Sequence, residues 1–198
     1  MVITNASTEI LKLLLSNPKL EYNIREISKN AKINYRLAYN ETHLLQKREI
    51  LEMKRVGTNK LCRLTLNGDI PLFSYIESLR LKEKLRRYPQ IKVIKTELDK
   101  IRTTYFTCIL FGSYAKGKTT KKSDIDLLFI VPEKEKDNLE RELNSLLSKI
   151  YYSIDWNIVI EKSFIEMEES SGLNVVNELI GNHIIIVGGE NYYKLLSK

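Results

Sequence analysis

Cysteine is scarce in this chain: 198 residues hold two, Cys62 and Cys108, far apart and without metal or redox spacing. That scarcity excludes a disulfide framework and a cysteine-ligated zinc site, and it predicts two reduced core thiols in a cytoplasmic protein. Long apolar runs are also missing. No stretch approaches about 18 apolar residues, so no membrane span is expected. The opening MVITNASTEILKLLL lacks a basic region and carries Glu9 ahead of its short apolar run, so no signal peptide is read. What is present is ordinary globular composition, 43% hydrophobic and 29% charged. This is enough for a core in one large domain or two small ones.

Acidic residues are under-represented in the first half. Residues 1–90 hold 17 Lys and Arg against 9 Asp and Glu, whereas residues 91–198 hold 15 against 16. The net charge of +7 therefore belongs to the first half. Such asymmetry points either to a polyanion partner there or to a well-solvated lysine-rich surface.

Helical apolar spacing covers Thr8 to Ser16 and stops at Asn17-Pro18. Asn23 can cap a short helix, Ile24 to Asn30, and Asn34 a longer one from Tyr35 to about Arg48. Two β-rich runs, Ile50–Lys54 and Leu61–Leu66, flank the turn-rich Arg55–Lys60, which predicts a hairpin with a basic tip. Three helices and a hairpin, with Ile27, Ala31, Ile33, Leu37, Ala38, Leu45 and Ile50-Leu51 as the apolar framework, resemble a winged helix-turn-helix over about residues 5–67. Glu49 departs from the pattern, which usually has Gly at that helix end. With Leu37, Ala38 and Leu45 inward, Tyr35, Arg36, Tyr39, Asn40 and His43 face outward. Arg and Asn can read base edges, while Tyr and the hairpin's Lys54, Arg55 and Lys60 can hold phosphates. A protein-interaction module is the alternative, and His43 alone reads as a solvated surface histidine. A helix opens at Ile70-Pro71, runs to about Tyr88 and restarts as Ile91 to Arg102. Its basic stretch RLKEKLRRY reads as a solvated helical linker, with an extension of the nucleic-acid surface as the alternative.

Within FGSYAKGKTTKKSDIDLLFIV, residues Gly112 to Thr119 spell G-x-x-x-x-G-K-[ST], a phosphate-loop pattern. Such a loop needs a strand before it and a helix after it. Tyr105–Phe111 supplies the strand. Only Thr120–Ser123 remain before a second β-rich run, Asp124–Val131, so the helix is missing and that reading fails. On a strand, Asp124 and Asp126 point the same way, with α-carbons about 6.5–7 Å apart. Two carboxylates at that range repel by roughly 2–3 kcal/mol at an effective dielectric near 20. A cation would compensate, and oxygen-only ligands favour Mg²⁺ or Mn²⁺. The bland alternative places both on a solvent-facing edge strand.

Gly112-Ser113, Ala115, Lys116, Gly117, then Ser123, Asp124, Asp126 and Leu127 resemble the nucleotidyltransferase superfamily that includes DNA polymerase beta, and its minimal and antibiotic-type members most closely. The resemblance covers about residues 92–196. It implies that the Gly112-Ser113 turn holds nucleotide phosphates and that Asp124 and Asp126 bind the metal. Lys116 stands where Arg is commoner, keeping the charge but losing the bidentate fork. The resemblance also requires a third carboxylate on a neighbouring strand. After a helix over Glu133–Lys149, Asp155 interrupts the β-rich run Tyr151–Ile160, and it is assigned that role. Glu161, at the strand end, is the alternative. Trp156 and His183 read as structural, and Gly188-Gly189 as a turn between a short strand, His183–Val187, and a last helix.

The expected architecture is α/β (α+β) in two domains: a winged helix-turn-helix over 1–68, a helical linker over 69–91 and a mixed-sheet nucleotidyltransferase domain over 92–198. The expected activity is metal-dependent transfer of an NMP from an NTP, ATP by preference, to a hydroxyl on a protein or small molecule. The alternative is a DNA-binding, antitoxin-like regulator whose transferase fold only senses nucleotide. The partners implied are a nucleotide, duplex DNA and a toxin-like protein acceptor, with no membrane and with a homodimer allowed.

Overall fold

A computed structural model describes residues 3–57, 59–103, 105–120, 123–170 and 175–197. Thr58 in the basic hairpin tip, and Lys121 and Lys122 in the polar stretch before Asp124, lie outside them.

The first half begins with helix α1 (Asn5–Ser16), capped by Thr4, whose Oγ1 accepts from Ser7 N at 3.0 Å. A two-residue strand β1 (Tyr22–Asn23) leads into α2 (Ile24–Asn30). Here Asn23 accepts from Glu26 N at 2.9 Å and Glu26 accepts from Asn23 N at 2.8 Å, a reciprocal capping box. Helix α3 (Tyr35–Lys47) is capped by Asn34 as its sequence predicts. Strands β2 (Leu51–Val56) and β3 (Asn59–Leu64) form the hairpin, and with β1 they make an antiparallel sheet in the order β1-β3-β2.

Helices α2 and α3 end alike. After α2, Ile33 N donates to Ser28 O and Lys32 N to Lys29 O; after α3, Ile50 N donates to Leu45 O and Glu49 N to Gln46 O. Both are Schellman closures, which place the first residue beyond the cap in the left-handed region. Lys32 has φ 55° and Glu49 φ 58°. Glu49, the residue that departs from the expected glycine, therefore occupies the conformation that glycine would have supplied. One expected core residue moves: Leu37 is 43% exposed, and the inward face of α3 is Ala38, Thr42 and Leu45. Thr42 tolerates burial because its hydroxyl donates to Ala38 O at 2.7 Å.

The 69–91 segment is not a solvated linker. Helix α4 (Ile70–Arg87), capped by Asp69, buries Leu72, Phe73, Ile76, Glu77, Arg80 and Leu81. It is followed by α5 (Pro89–Leu98), strand β4 (Thr107–Phe111), the short helix α6 (Gly112–Lys116) and strand β5 (Ile125–Val131). A 3₁₀ turn at Glu133–Glu135 opens α7 (Lys136–Leu147); then come β6 (Ile154–Ile160), α8 (Glu161–Glu169), α9 (Val175–Ile180), β7 (Ile184–Val187) and α10 (Gly189–Leu196). The second sheet runs β6-β5-β4-β7, with β5 and β6 parallel and the other pairs antiparallel, so it is mixed as expected.

Both faces of this sheet are covered, which explains the continuous apolar runs of β4 and β5. Cys108, Leu110, Leu127 and Phe129 pack with Ile91, Ile94 and Leu98 of α5 and Leu139 and Leu143 of α7. Ile109, Leu128 and Ile130 face the other way. They join a core that runs through Phe73 and Ile76 of α4 and Tyr192 and Tyr193 of α10 into Ile10, Leu11 and Leu14 of α1. Helix α4 thus ties the two halves into one apolar interior. His183 is buried there, and burial, aided by the like charge of Arg80, pulls its pKa down to about 3. No helix among the described residues is long and apolar enough to cross a membrane.

The left-handed Glu49 makes a direct test. Glu49→Gly is expected to raise stability by about 1 kcal/mol, because it removes the cost of a Cβ at positive φ. Urea unfolding of the two proteins measures it.

Candidate active site

The site forms where β4, β5 and β6 end together. The register pairs Phe111 with Asp126 across the antiparallel β4–β5 ladder and Asp126 with Asp155 across the parallel β5–β6 ladder. Cα partners share a face, so Asp126 and Asp155 point the same way on adjacent strands; Asp124 lies just before β5, two residues from Asp126. They continue the row of Leu128 and Ile130, so the carboxylates mark the rim where that core face meets solvent. Asp126 is half-buried, and Asp124 and Asp155 are exposed. Strand β5 is internal to the sheet, which removes the edge-strand explanation for the acidic pair. Glu161 follows Ile160, at the far end of β6 from Asp155, and accepts from Asn191 Nδ2 at 3.3 Å. It is no alternative third acid.

Phe111 leads straight into α6, whose first residue, Gly112, has φ 63°. A Cβ at residue 112 would lie 1.9 Å from Asp126 Oδ2 and 2.8 Å from its Cγ. Glycine is required twice over, for the backbone angle and for the carboxylate that lies against it. Ser113 is half-buried and Lys116 exposed on the same short helix. Gly117, φ 72°, ends it, and no helix intervenes among the described residues between Lys116 and β5, so the phosphate-loop reading stays excluded.

The side chains that hold this turn from behind were not singled out in the sequence. Lys84 Nζ on α4 donates to Tyr114 O at 3.0 Å and Ala115 O at 2.7 Å, and Arg87 reaches Gly117 O at 3.5 Å. Tyr88 packs edge-on against Tyr114, ring centroids 5.2 Å apart. The signal was available: Arg80, Lys84 and Arg87 recur at helical spacing on one side of α4. Burial, the phenols of Tyr88 and Tyr152, and the Asp124 charge all raise the pKa of Tyr114.

Every donor at the acidic rim is an oxygen, the set that suits a hard divalent cation. As the side chains stand, no three His, Cys, Asp or Glu groups among the described residues gather closely enough to hold a metal. The fold fixes the backbone positions of the three acids and leaves their side-chain convergence open. A cavity of about 630 Å³ lies elsewhere, between α7 and the 100–103 segment, lined by Arg102, Thr103, Arg141 and Glu142 among others.

The outward residues of the first half do come together. Tyr35 and Tyr39 are 54% and 42% exposed, and Arg36 and Asn40 lie on the same exposed surface. His43 is half-buried rather than freely solvated: its ring lies 4.2 Å from that of Tyr39, and its Nε2 is 3.4 Å from Lys60 Nζ. The hairpin is thereby brought beside α3, with Lys54, Arg55 and Lys60 exposed.

Residues 91–180 match the family model of the nucleotidyltransferase domain. A Methanocaldococcus jannaschii protein named as a protein adenylyltransferase is 30% identical over 92 residues, covering 42% of this chain and 84% of its own. No solved structure is significantly similar to the chain.

Gly112→Ala tests the closest contact of the site. A methyl group there must displace the Asp126 carboxylate, and a displacement of that size costs roughly a hundredfold in rate. Nucleotidyl transfer is expected to fall by at least that factor. A melting curve on the same sample checks that the chain stays folded.

Proposed function

The chain belongs to the nucleotidyltransferase family and is a transferase, and from that premise we propose that it moves AMP from ATP to a hydroxyl on a partner protein, using a divalent cation, Mg²⁺ or Mn²⁺. The observation that carries the proposal is the register Asp126–Asp155 with Gly112 pressed against Asp126. In this reading Asp124 and Asp126 hold the cation that accompanies the triphosphate. Asp155 completes the ligand set on the acceptor side and takes up the acceptor proton. The Gly112 and Ser113 amides and the Ser113 hydroxyl hold the β- and γ-phosphates, and Lys116 adds positive charge. The acceptor oxygen forms a bond to the α-phosphorus, the bond from that phosphorus to the bridging oxygen breaks, and pyrophosphate leaves. A divalent cation held by these carboxylates would supply charge neutralisation to the displacement. The name of the archaeal relative supports ATP and a protein acceptor, and two buried, free cysteines fit a cytoplasmic setting.

Asp155 separates an enzyme from a nucleotide sensor. Losing a carboxylate that handles the acceptor proton costs about 10²–10⁴ in rate. Asp155→Asn is expected to leave Mg-ATP affinity within about tenfold of wild type while label transfer falls at least about a hundredfold, the mark of an interaction used in the transition state. Calorimetry with and without chelator and transfer of labelled AMP into cell lysate measure the two quantities. Transfer at the wild-type rate would remove Asp155 from the reaction. Binding without transfer by either protein would favour the sensor.

For residues 1–68 we propose a winged helix-turn-helix that binds duplex DNA. The support is the exposed Tyr35, Arg36, Tyr39 and Asn40 face with His43, Lys54, Arg55 and Lys60 beside it, on the half that carries the excess positive charge. Phosphate contacts release counterions, so binding should weaken as salt rises. In the full chain, which keeps α4 packed on α1, Arg36→Ala should blur sequence preference more than Lys60→Ala, and Lys60→Ala should reduce the salt slope. Absence of binding at about 50 mM salt would identify a protein-interaction module instead.

A further inference from the structure

A second cavity, of about 370 Å³, opens between the first half and the back of the Gly112 turn. Its walls come from α1, the end of α2, α4, Ala115 of α6 and the 182–184 segment before β7. Three cations of α4 line it, Arg80, Lys84 and Arg87, at spacings that put them on one side of the helix.

Their partners differ. Arg80 is fully engaged: it donates to Glu77 Oε1 at 2.6 Å, Leu15 O at 3.2 Å and His183 O at 2.6 Å. Lys84 is half-buried, donates to the neutral carbonyls of Tyr114 and Ala115 and lies over the Tyr88 ring. Arg87, at the exposed end, meets Gly117 O and the face of Tyr88. Among the described residues, no carboxylate pairs with Lys84 or Arg87. The acids on the same wall are committed: Glu9 and Glu83 both bind Lys12, at 2.7 and 2.6 Å.

Two further observations bear on what the cavity wants. Burial and then the like charges of Arg87 and Arg80 pull the pKa of Lys84 down, with Arg80 itself paired to Glu77. His183, on the same wall, keeps a buried Nε2 with no hydrogen-bond partner among the described residues, while its Nδ1 faces Ile180 O. Half-buried positive charge without a counter-charge, lining a hollow of ligand size, is the complement of a small anion.

We propose that this cavity binds a small phosphate-bearing anion, its charge held by Lys84 and Arg87, at a place separate from the acidic rim. The volume suits pyrophosphate or a mononucleotide and not a polymer. Because Lys84 also holds the carbonyls of α6, occupancy is felt at the turn that carries Gly112 and Ser113.

The test removes the acidic rim from consideration. Full-length Asp124→Ala/Asp126→Ala protein in EDTA is titrated with inorganic pyrophosphate and, separately, with AMP. Saturable one-to-one binding of at least one of them is expected, and the tighter of the two identifies the source of the phosphate. Adding Lys84→Met or Arg87→Met should weaken it at least about tenfold, the loss of one charge-assisted contact. Adding Arg86→Met, on the exposed side of the same helix, should leave it unchanged. Arg87 is exposed, so its variant keeps the test valid if the Lys84 variant fails to fold. No saturable binding of either compound, or equal binding by all variants, overturns the proposal. Neither result bears on metal-dependent transfer at Asp124, Asp126 and Asp155.

Discussion

Arg80 is 8% exposed, and a guanidinium so deeply placed must find acceptors for its donors. It finds them in three parts of the chain: the Glu77 carboxylate one turn back, the carbonyl of Leu15 at the end of α1, and the carbonyl of His183 before β7. Glu77 accepts in turn from Tyr193 of α10 at 2.7 Å. Removing one partner of a buried pair typically costs about 3–5 kcal/mol, because the other charge is left stranded. The first half, the central helix and the last strand of the catalytic sheet are therefore held by one polar junction set inside a shared apolar core. The basic run that reads as a solvated linker is the spine of the molecule.

From that spine the active site inherits its geometry. Helix α4 carries Lys84 to the carbonyl end of α6, and α6 sets Gly112 at the close of β4. The ladders then place Asp126 against Gly112 and Asp155 beside Asp126. No link in this sequence is a loop. Reactive groups on paired strands, backed by a helix clamped at its far end, have little freedom to drift, which a phosphoryl-transfer site needs more than it needs covalent chemistry.

Local chemistry made much of this legible. Asn23 and Asn34 announce their helices by capping, and the apolar run ending at Phe111 announces β4. Gly112-Ser113 followed by Asp124 and Asp126 points to the proposed site, and the structure sets Gly112 against Asp126. Glu49 was visible as an exception, and its left-handed backbone shows what the exception costs. What the sequence could not display depends on distant partners. Leu37 satisfies a helical apolar pattern yet faces solvent, since Ala38, Thr42 and Leu45 meet α1 and α2 first. Arg80 and Glu77 look like a surface pair at helical spacing and are buried because Leu15, His183 and Tyr193 arrive from elsewhere. His43 looks like a lone surface histidine until the hairpin brings Lys60 to it.

Strand β6 ends the sheet order, with β5 on one side and no further strand among the described residues on the other. Asp155, the acid proposed to face the acceptor, thus stands on the outermost strand, while Gly112 and Asp126 of β5 sit further in. Under the proposed roles the arrangement is directional: nucleotide inward, acceptor outward. Under those roles a protein acceptor would meet the exposed Asp155 at the margin of the sheet, and the half-buried Asp126 would stay on the nucleotide side.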